Sequence, residues 1–138
     1  MSDLIARADI LVVDDHDIMR AMLGAVLGAF GARQTRMANG ASQAWAEIEQ
    51  AAPDLVLLDQ TMPAVSGLEF LQALRARRDL RQPAVLMLTG HEDQAFARQA
   101  LVAGAQGVLV KPIENEVLLY RIDLALAARA RAAERATG

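Results

Sequence analysis

The sequence contains no cysteine, and this absence excludes disulfides, thiolate metal sites and cysteine nucleophiles. Long apolar runs are missing too, since no uncharged stretch reaches the roughly 18–20 residues of a transmembrane helix. The opening "MSDLIARADI" has an early acidic residue and no sustained apolar core, so it does not have the pattern of a secretory signal. The sequence therefore predicts a soluble, cytoplasmic protein.

A strong excess of either charge is also lacking. The formal net charge is −3, which gives no electrostatic reason to expect nucleic acid or an anionic membrane as the main partner. With 138 residues, of which 54% are hydrophobic and 22% charged, the chain fits one globular domain. Lys111 is the only lysine among 14 basic residues, and the others are all arginine. A lysine retained in such an arginine-rich composition indicates a position that arginine cannot fill.

Short apolar runs of strand length recur along the chain and are nearly continuous rather than alternating. This pattern is typical of strands covered on both faces, as in a parallel sheet. The four runs are "ILVV" (10–13), "LVLL" (55–58), "AVLML" (84–88) and "GVLV" (107–110). A fifth segment, "RQTRMA" (33–38), is polar enough for a strand at a sheet edge.

Segments with helical spacing separate these runs, so a strand–helix unit repeats five times. This alternation predicts an α/β domain with a five-stranded parallel sheet, order 2-1-3-4-5, and five helices on two faces, the flavodoxin-like arrangement. The predicted helices cover 18–29, 41–50, 66–77, 92–104 and a last segment from about residue 114. We divide the chain into an N-terminal extension (1–8), the domain (9–128) and a helix end or tail (129–138).

Chemically distinctive residues stand where the predicted strands end, and parallel strands bring these ends to one edge of the sheet. Asp14 and Asp15 end the first strand, Asp59 the third, Thr89 the fourth and Lys111 the fifth. Three carboxylates without cysteine or histidine ligands suit a hard divalent cation such as Mg²⁺. A carboxylate surrounded by a cation, an ammonium group and a hydroxyl is typical of phosphoryl transfer, and Asp59 is the best candidate nucleophile.

This constellation resembles the receiver domain of two-component response regulators of the chemotaxis type. The resemblance covers about residues 9–128, in the right order and spacing. The matching segments are "VVDD" (12–15), "LLDQTMPAVSG" (57–67), "LTG" (88–90) and "GAQGVLVKP" (104–112).

The resemblance implies a role for each acidic residue. Asp59 would accept a phosphoryl group from a phosphohistidine on a sensor kinase or a histidine phosphotransfer protein. Asp15 would bind Mg²⁺ directly, Asp14 would act more through water, and the backbone carbonyl of Thr61 would complete the protein ligands.

The resemblance also assigns the other strand-end residues and exposes one departure. Lys111 would pair with Asp59 and later with the phosphoryl oxygens, Thr89 would move towards the phosphoryl group, and the Lys111–Pro112 peptide would be cis. Val108 stands where receiver domains usually carry Tyr or Phe, so we expect backbone and helix shifts to carry the output signal. No output domain follows in the sequence, so we expect signalling through contacts with an unknown protein target, or transfer of phosphoryl groups within a relay.

The residues near these acids have simpler expected roles. Asp17 precedes a helical segment and is well placed as its N-cap. His16 and His91 are interpreted as exposed loop residues without a partner at metal-ligand spacing. Thr61 and His91 match the two variable positions beside the phosphorylation site, which suggests that they tune the lifetime of the phosphoryl group.

Three other functions stay open at this stage. A pseudo-receiver would fold alike but act only as a protein-binding surface. A phosphatase of the haloacid-dehalogenase type also uses an aspartate nucleophile, but it expects Thr or Val where Met19 stands, and usually a cap insertion. A flavodoxin-like cofactor binder is disfavoured because the acidic "DDHD" (14–17) would repel a phosphate.

Overall fold

The computed structural model describes the backbone of residues 3–137 and side chains as far as residue 135. Within this range the chain forms one sheet of five parallel strands in the order β2-β1-β3-β4-β5, as the sequence predicts. The strands are β1 (Asp9–Val13), β2 (Gln34–Ala38), β3 (Leu55–Asp59), β4 (Ala84–Thr89) and β5 (Gly107–Val110). The polar strand β2 lies at an edge, as its composition predicts.

Six helices, one more than predicted, connect and flank the strands between residues 3 and 137. They are α1 (Asp3–Ala6), α2 (Asp17–Ala29), α3 (Ala41–Gln50), α4 (Gly67–Ala76), α5 (Gln94–Ala103) and α6 (Asn115–Thr137). The additional helix is α1, a single turn within the predicted N-terminal extension that contacts α6 and buries Ile5. None of the helices in this part of the chain is long and apolar enough to cross a membrane.

The sheet separates two hydrophobic layers. Successive residues of a strand point to opposite faces, so Ile10 and Val12 of β1 pack towards α2 and α6, while Leu11 and Val13 pack towards α3, α4 and α5. Every residue of β1, β3 and β4 is buried, which explains why their sequences are continuous apolar runs. Each fully buried aliphatic side chain stabilises the fold by about 1.5–3 kcal/mol.

Helix α2 begins one residue earlier than predicted, and the prediction that Asp17 is its N-cap is wrong. His16 occupies the N-cap position, and Asp17 is the first helical residue, where its carboxylate pairs with Arg20. The cause lies upstream, because Asp14 Oδ1 accepts a hydrogen bond from the His16 amide at 2.9 Å and bends the chain into the helix there. At the other end Gly31, with a φ of 85°, supplies the left-handed residue that terminates the helix.

The segment after β3 is held close to the strand it leaves. A Cβ atom on Gly67 would lie 2.4 Å from the carbonyl oxygen of Asp59, so only glycine fits at the start of α4. Ser66 and Glu69 form a reciprocal capping box at this helix start. The packing fixes where the loop from Gln60 to Ser66 can run, and this loop borders the carboxyl edge of the sheet.

Candidate functional site

Five strand-end residues lie at the carboxyl edge of the sheet, where the sequence predicts them. Asp14 and Asp15 follow β1, Asp59 and Thr89 are the last residues of β3 and β4, and Lys111 follows β5. Strands β1 and β3 are hydrogen-bonded neighbours, so acids far apart in sequence meet at this edge. The cleft lies where the strand order reverses, the position at which doubly wound sheets bind ligands.

The ammonium group of Lys111 joins two of the carboxylates. Its Nζ atom lies 3.0 Å from Asp59 Oδ1 and 3.3 Å from Asp14 Oδ2. The Asp59 side chain is 3% exposed and that of Asp14 is fully buried, whereas Lys111 keeps 18% of its side chain exposed. The lysine therefore reaches from the rim into a cleft whose floor is acidic.

Charge in the cleft is not balanced. The pKa of the Asp59 carboxyl is raised, chiefly because the group is buried. The hydrogen bond from Lys111 lowers this pKa, but the negative charges of Asp14 and Asp15 raise it further, and the net shift is upward. Burial by itself lowers the pKa of Lys111, but its contacts with Asp59 and Asp14 outweigh that effect and raise it. Three carboxylates facing one ammonium group leave the cleft with excess negative charge.

Two buried carboxylate oxygens in the cleft accept no hydrogen bond, namely Asp15 Oδ1 and Asp59 Oδ2. A buried acceptor left without a donor is unfavourable by about 1–3 kcal/mol, more for a charged group. Asp14, Asp15, His16 and Asp59 each offer a ligand atom, and these atoms all lie within 4.8 Å of one another. The donor set and the unpartnered oxygens both fit a divalent cation bound between the carboxylates.

The interpretation of His16 as an exposed loop residue is confirmed, but the expectation that it lacks a partner at metal-ligand spacing is wrong. Its side chain is 65% exposed, yet Nδ1 lies 3.2 Å from Asp14 Oδ1 and 3.2 Å from Asp15 Oδ1. The hydrogen bond from the His16 amide to Asp14 forms a tight turn that returns the ring to the acids. Aspartate often accepts a hydrogen bond from the backbone amide two residues further on, so Asp14 was itself a sequence signal for this turn and for the position of His16.

The predicted cis Lys111–Pro112 peptide is confirmed. The Thr89 hydroxyl is hydrogen-bonded to the backbone of His91, with both contacts at 3.3 Å. Beside Thr89, the half-buried Val108 lines a cavity of about 190 Å³ with residues of the loop before α5. The valine thus leaves space next to the threonine hydroxyl.

Two positioning residues escaped the sequence analysis. Arg20 Nη1 donates to the backbone carbonyl of Asp14 at 2.6 Å, so the first turn of α2 holds the acidic loop in place. Gln60 Oε1 accepts from the amide of Leu68 at 2.8 Å and ties the residue after Asp59 to α4. Neither residue type has a sequence signature, since both contacts depend on how a helix start packs against a strand end.

Comparison with known proteins links this geometry to one family. The family model for the response regulator receiver domain matches residues 10–123. The chain is 31% identical over 117 residues to a probable chemotaxis protein CheY of Rhizobium etli, covering 85% of this chain and 91% of that protein. It is 37% identical over 122 residues to the transcriptional activator protein ExaE of Pseudomonas putida, covering 88% of this chain but only 56% of ExaE.

Solved structures show the same architecture. The chemotaxis protein CheY4 of Vibrio cholerae superposes with a TM-score of 0.80 at 30% sequence identity. The match covers 86% of this chain and 98% of CheY4. NtrX from Brucella abortus, crystallised in complex with ATP, superposes with a TM-score of 0.85 at 31% identity, but the match covers only 29% of that chain.

Proposed function

The chain belongs to the response regulator receiver domain family, and from this premise we propose that Asp59 accepts a phosphoryl group from a phosphohistidine. Receiver domains are signalling domains that interact with histidine kinases or phosphotransfer proteins, and a partner of that kind would supply the group. The observation that carries the proposal is the asymmetry of the Asp59 carboxylate. Lys111 holds Oδ1 at 3.0 Å, whereas the buried Oδ2 has no hydrogen-bond partner.

The reaction is an exchange of one bond to phosphorus for another. A carboxylate oxygen of Asp59 forms a bond to phosphorus as the nitrogen–phosphorus bond of the phosphohistidine breaks. The electron pair of the broken bond leaves with the imidazole nitrogen of the donor. The products are an aspartyl phosphate on this chain and a free histidine on the partner, so no oxidant, reductant or further reactant is needed.

The acidic residues would hold Mg²⁺ in this proposal. Asp15 and Asp59 would bind it directly, Asp14 more through water, and the backbone carbonyl of Thr61 would complete the protein ligands. When bound, Mg²⁺ supplies charge neutralisation for the phosphoryl oxygens. It would also offset the negative charge that Lys111 alone leaves in the cleft.

Lys111 orients the acceptor before transfer and would donate to the phosphoryl oxygens afterwards. Its ammonium group is a compact charge with three donors, which allows it to keep Asp14 while its other partner changes. Arginine has a planar fork that favours two parallel hydrogen bonds to one group, so it is a poorer substitute at this position.

The output would begin at Thr89, whose hydroxyl contacts the backbone of His91 at 3.3 Å and can turn towards a phosphoryl oxygen. Because Val108 cannot swing as an aromatic ring would, we propose that the loop before α5 and the adjoining helices carry the change. The target of this surface would be another protein. Neither nucleic acid nor membrane is proposed as a partner.

The test is the intact mass of the protein after incubation with acetyl phosphate, with and without Mg²⁺. We expect one base-labile phosphoryl group on the wild type in Mg²⁺, and none on Asp59→Asn. Asp79→Asn is the matched control, since Asp79 is exposed and contacts Arg77 at 2.8 Å far from the cleft. Phosphorylation of Asp59→Asn would overturn the proposal. Failure of the wild type with a phosphohistidine donor as well would favour the pseudo-receiver.

We further propose that the chain is not a turnover phosphatase and hydrolyses only its own aspartyl phosphate. The structure describes no cap insertion between residues 3 and 137, and α2 follows β1 after a short acidic loop. Steady turnover of a generic phosphate monoester that depends on Asp59 would contradict this.

A further inference from the structure

Besides the ammonium group of Lys111, an imidazole nitrogen lies among the carboxylate oxygens of the cleft. His16 Nδ1 is 3.2 Å from Asp14 Oδ1 and 3.2 Å from Asp15 Oδ1. Two ligand atoms each about 2.0–2.1 Å from one cation lie roughly 2.8–3.0 Å apart at the 90° angles of an octahedron and roughly 3.3–3.4 Å apart in a tetrahedron. The observed 3.2 Å lies between these values. The imidazole nitrogen therefore has the spacing of a neighbouring ligand to Asp15, which is proposed to bind the cation directly.

A simple ion pair between the imidazole and both acids explains only part of this geometry. The contact with Asp14 is a possible hydrogen bond, but Asp15 Oδ1 receives none despite its short distance from the ring. The Asp59 side chain, 3% exposed, also has an unpartnered oxygen, and Asp59 offers one ligand atom to the same cluster. A shared cation would satisfy all of these atoms together, whereas a proton on the ring would satisfy one.

We propose that His16 is a direct ligand of the divalent-cation site and shifts its preference from Mg²⁺ towards Zn²⁺ and Ni²⁺. This inference rests on the proposed cation site, to which it adds a fourth side chain. Mg²⁺ prefers oxygen ligands, while imidazole nitrogen binds the later first-row metals well, so one nitrogen favours the latter. Because the ring is on the exposed rim, it can turn onto a cation without repacking of the core.

The test is calorimetric titration of metal-free protein with Zn²⁺, Ni²⁺ and Mg²⁺ in separate experiments. For His16→Asn we expect the Zn²⁺ and Ni²⁺ affinities to fall by at least about tenfold and the Mg²⁺ affinity to change by less than about twofold. His91→Asn is the matched control, being the other histidine and also exposed, and we expect it to bind all three ions like the wild type.

A second measurement needs no variant. In the wild type, Zn²⁺ should shift the ¹⁵N resonance of His16 Nδ1 more than that of Nε2, and Mg²⁺ should shift neither to the same extent. Direct coordination through Nδ1 predicts this order, whereas a ring that only shapes the acidic turn does not.

The outcomes separate this inference from the proposed function. Unchanged Zn²⁺ and Ni²⁺ affinities in His16→Asn, or equal losses for all three ions, would overturn the inference while leaving the carboxylate site intact. A wild type that binds no Mg²⁺, or an Asp15→Asn variant that binds it equally well, would overturn the proposed cation site itself.

Discussion

The aspartates at the two ends of the sheet have opposite electrostatic environments. At the amino end, Asp9 receives two hydrogen bonds from Arg36, each of 3.0 Å. Asp54 there accepts the amide of Asp9 at 2.8 Å and contacts Arg129 at 3.2 Å. At the carboxyl end, the one lysine of the cleft contacts two of its three acids, and Asp15 and Asp59 each retain an oxygen without a donor.

The pKa shifts of two aspartates record this difference. Burial raises the pKa of Asp54, but its hydrogen bonds and the charges of Arg81 and Arg129 outweigh this and lower it. Burial raises the pKa of Asp59 as well, and there the neighbouring acids add to it against Lys111. An aspartate that supports the fold is thus paired with positive charge, whereas an aspartate placed to react keeps an excess of negative charge around it.

Removing a partner at the amino end should have the largest effect. Arg36→Ala leaves Asp9 charged and buried, with a side chain only 6% exposed, so we expect the free energy of unfolding to fall by about 3–5 kcal/mol. Arg33→Ala is the control, because Arg33 is 56% exposed and 4.0 Å from the same carboxylate, and it should change little. Urea denaturation measures both. Equal losses would show that Asp9 does not depend on Arg36.

Removing an acid at the carboxyl end should have a smaller effect of opposite sign. Asp15→Asn relieves repulsion in the cleft, so without metal we expect a gain of roughly 0.5–2 kcal/mol in unfolding free energy. Mg²⁺ at a hundred times its Kd should then stabilise the wild type by about 2.7 kcal/mol and the variant much less. Melting curves in chelator and in Mg²⁺ test this. If Asp15→Asn were less stable than the wild type in chelator, repulsion between the acids would not destabilise the fold.

The smallest effect concerns acid stability. Because the folded-state pKa of Asp54 is lowered, its contribution is present above the unfolded-state value, near 3.8, and is lost as the pH falls through the lower folded-state value. Asp54→Asn should therefore lose about 1 kcal/mol or less at neutral pH and lose nothing further from this group in acid. Unfolding curves measured from pH 7 to pH 2 provide the comparison. If the loss of unfolding free energy caused by Asp54→Asn grew as the pH falls, the prediction would be contradicted.

The sheet and the carboxyl edge were predictable because each depends on local patterns. Strands covered on both faces must be apolar along their whole length, and residues such as Asp59 and Lys111 follow directly from where those runs stop. The convergence of the strand ends then needs only the parallel topology, which the alternation of strands and helices implies.

The remaining features depend on distances that sequence spacing does not encode. The pairing of Asp9 with Arg36 requires the register of β1 against β2, in which Arg36 lies opposite Leu11. The contact of His16 with the acids arises from a three-residue turn, and α1 is a single turn whose apolar residues are too few to show a period. Packing decides these features, so they appeared only in the folded chain.

The two ends of the sheet are chemically separate, but α6 joins them mechanically. This helix of 23 residues is about 34 Å long, and it begins shortly after Lys111 and Pro112 at the carboxyl edge. Farther along, Arg129 grips Asp54 and the carbonyl oxygen of Gln82 at the amino edge. The helix therefore bridges the two edges of the sheet over the roughly 21 Å between Asn115 and Arg129. A displacement of the Lys111 turn would act on a helix that Arg129 holds at the opposite edge.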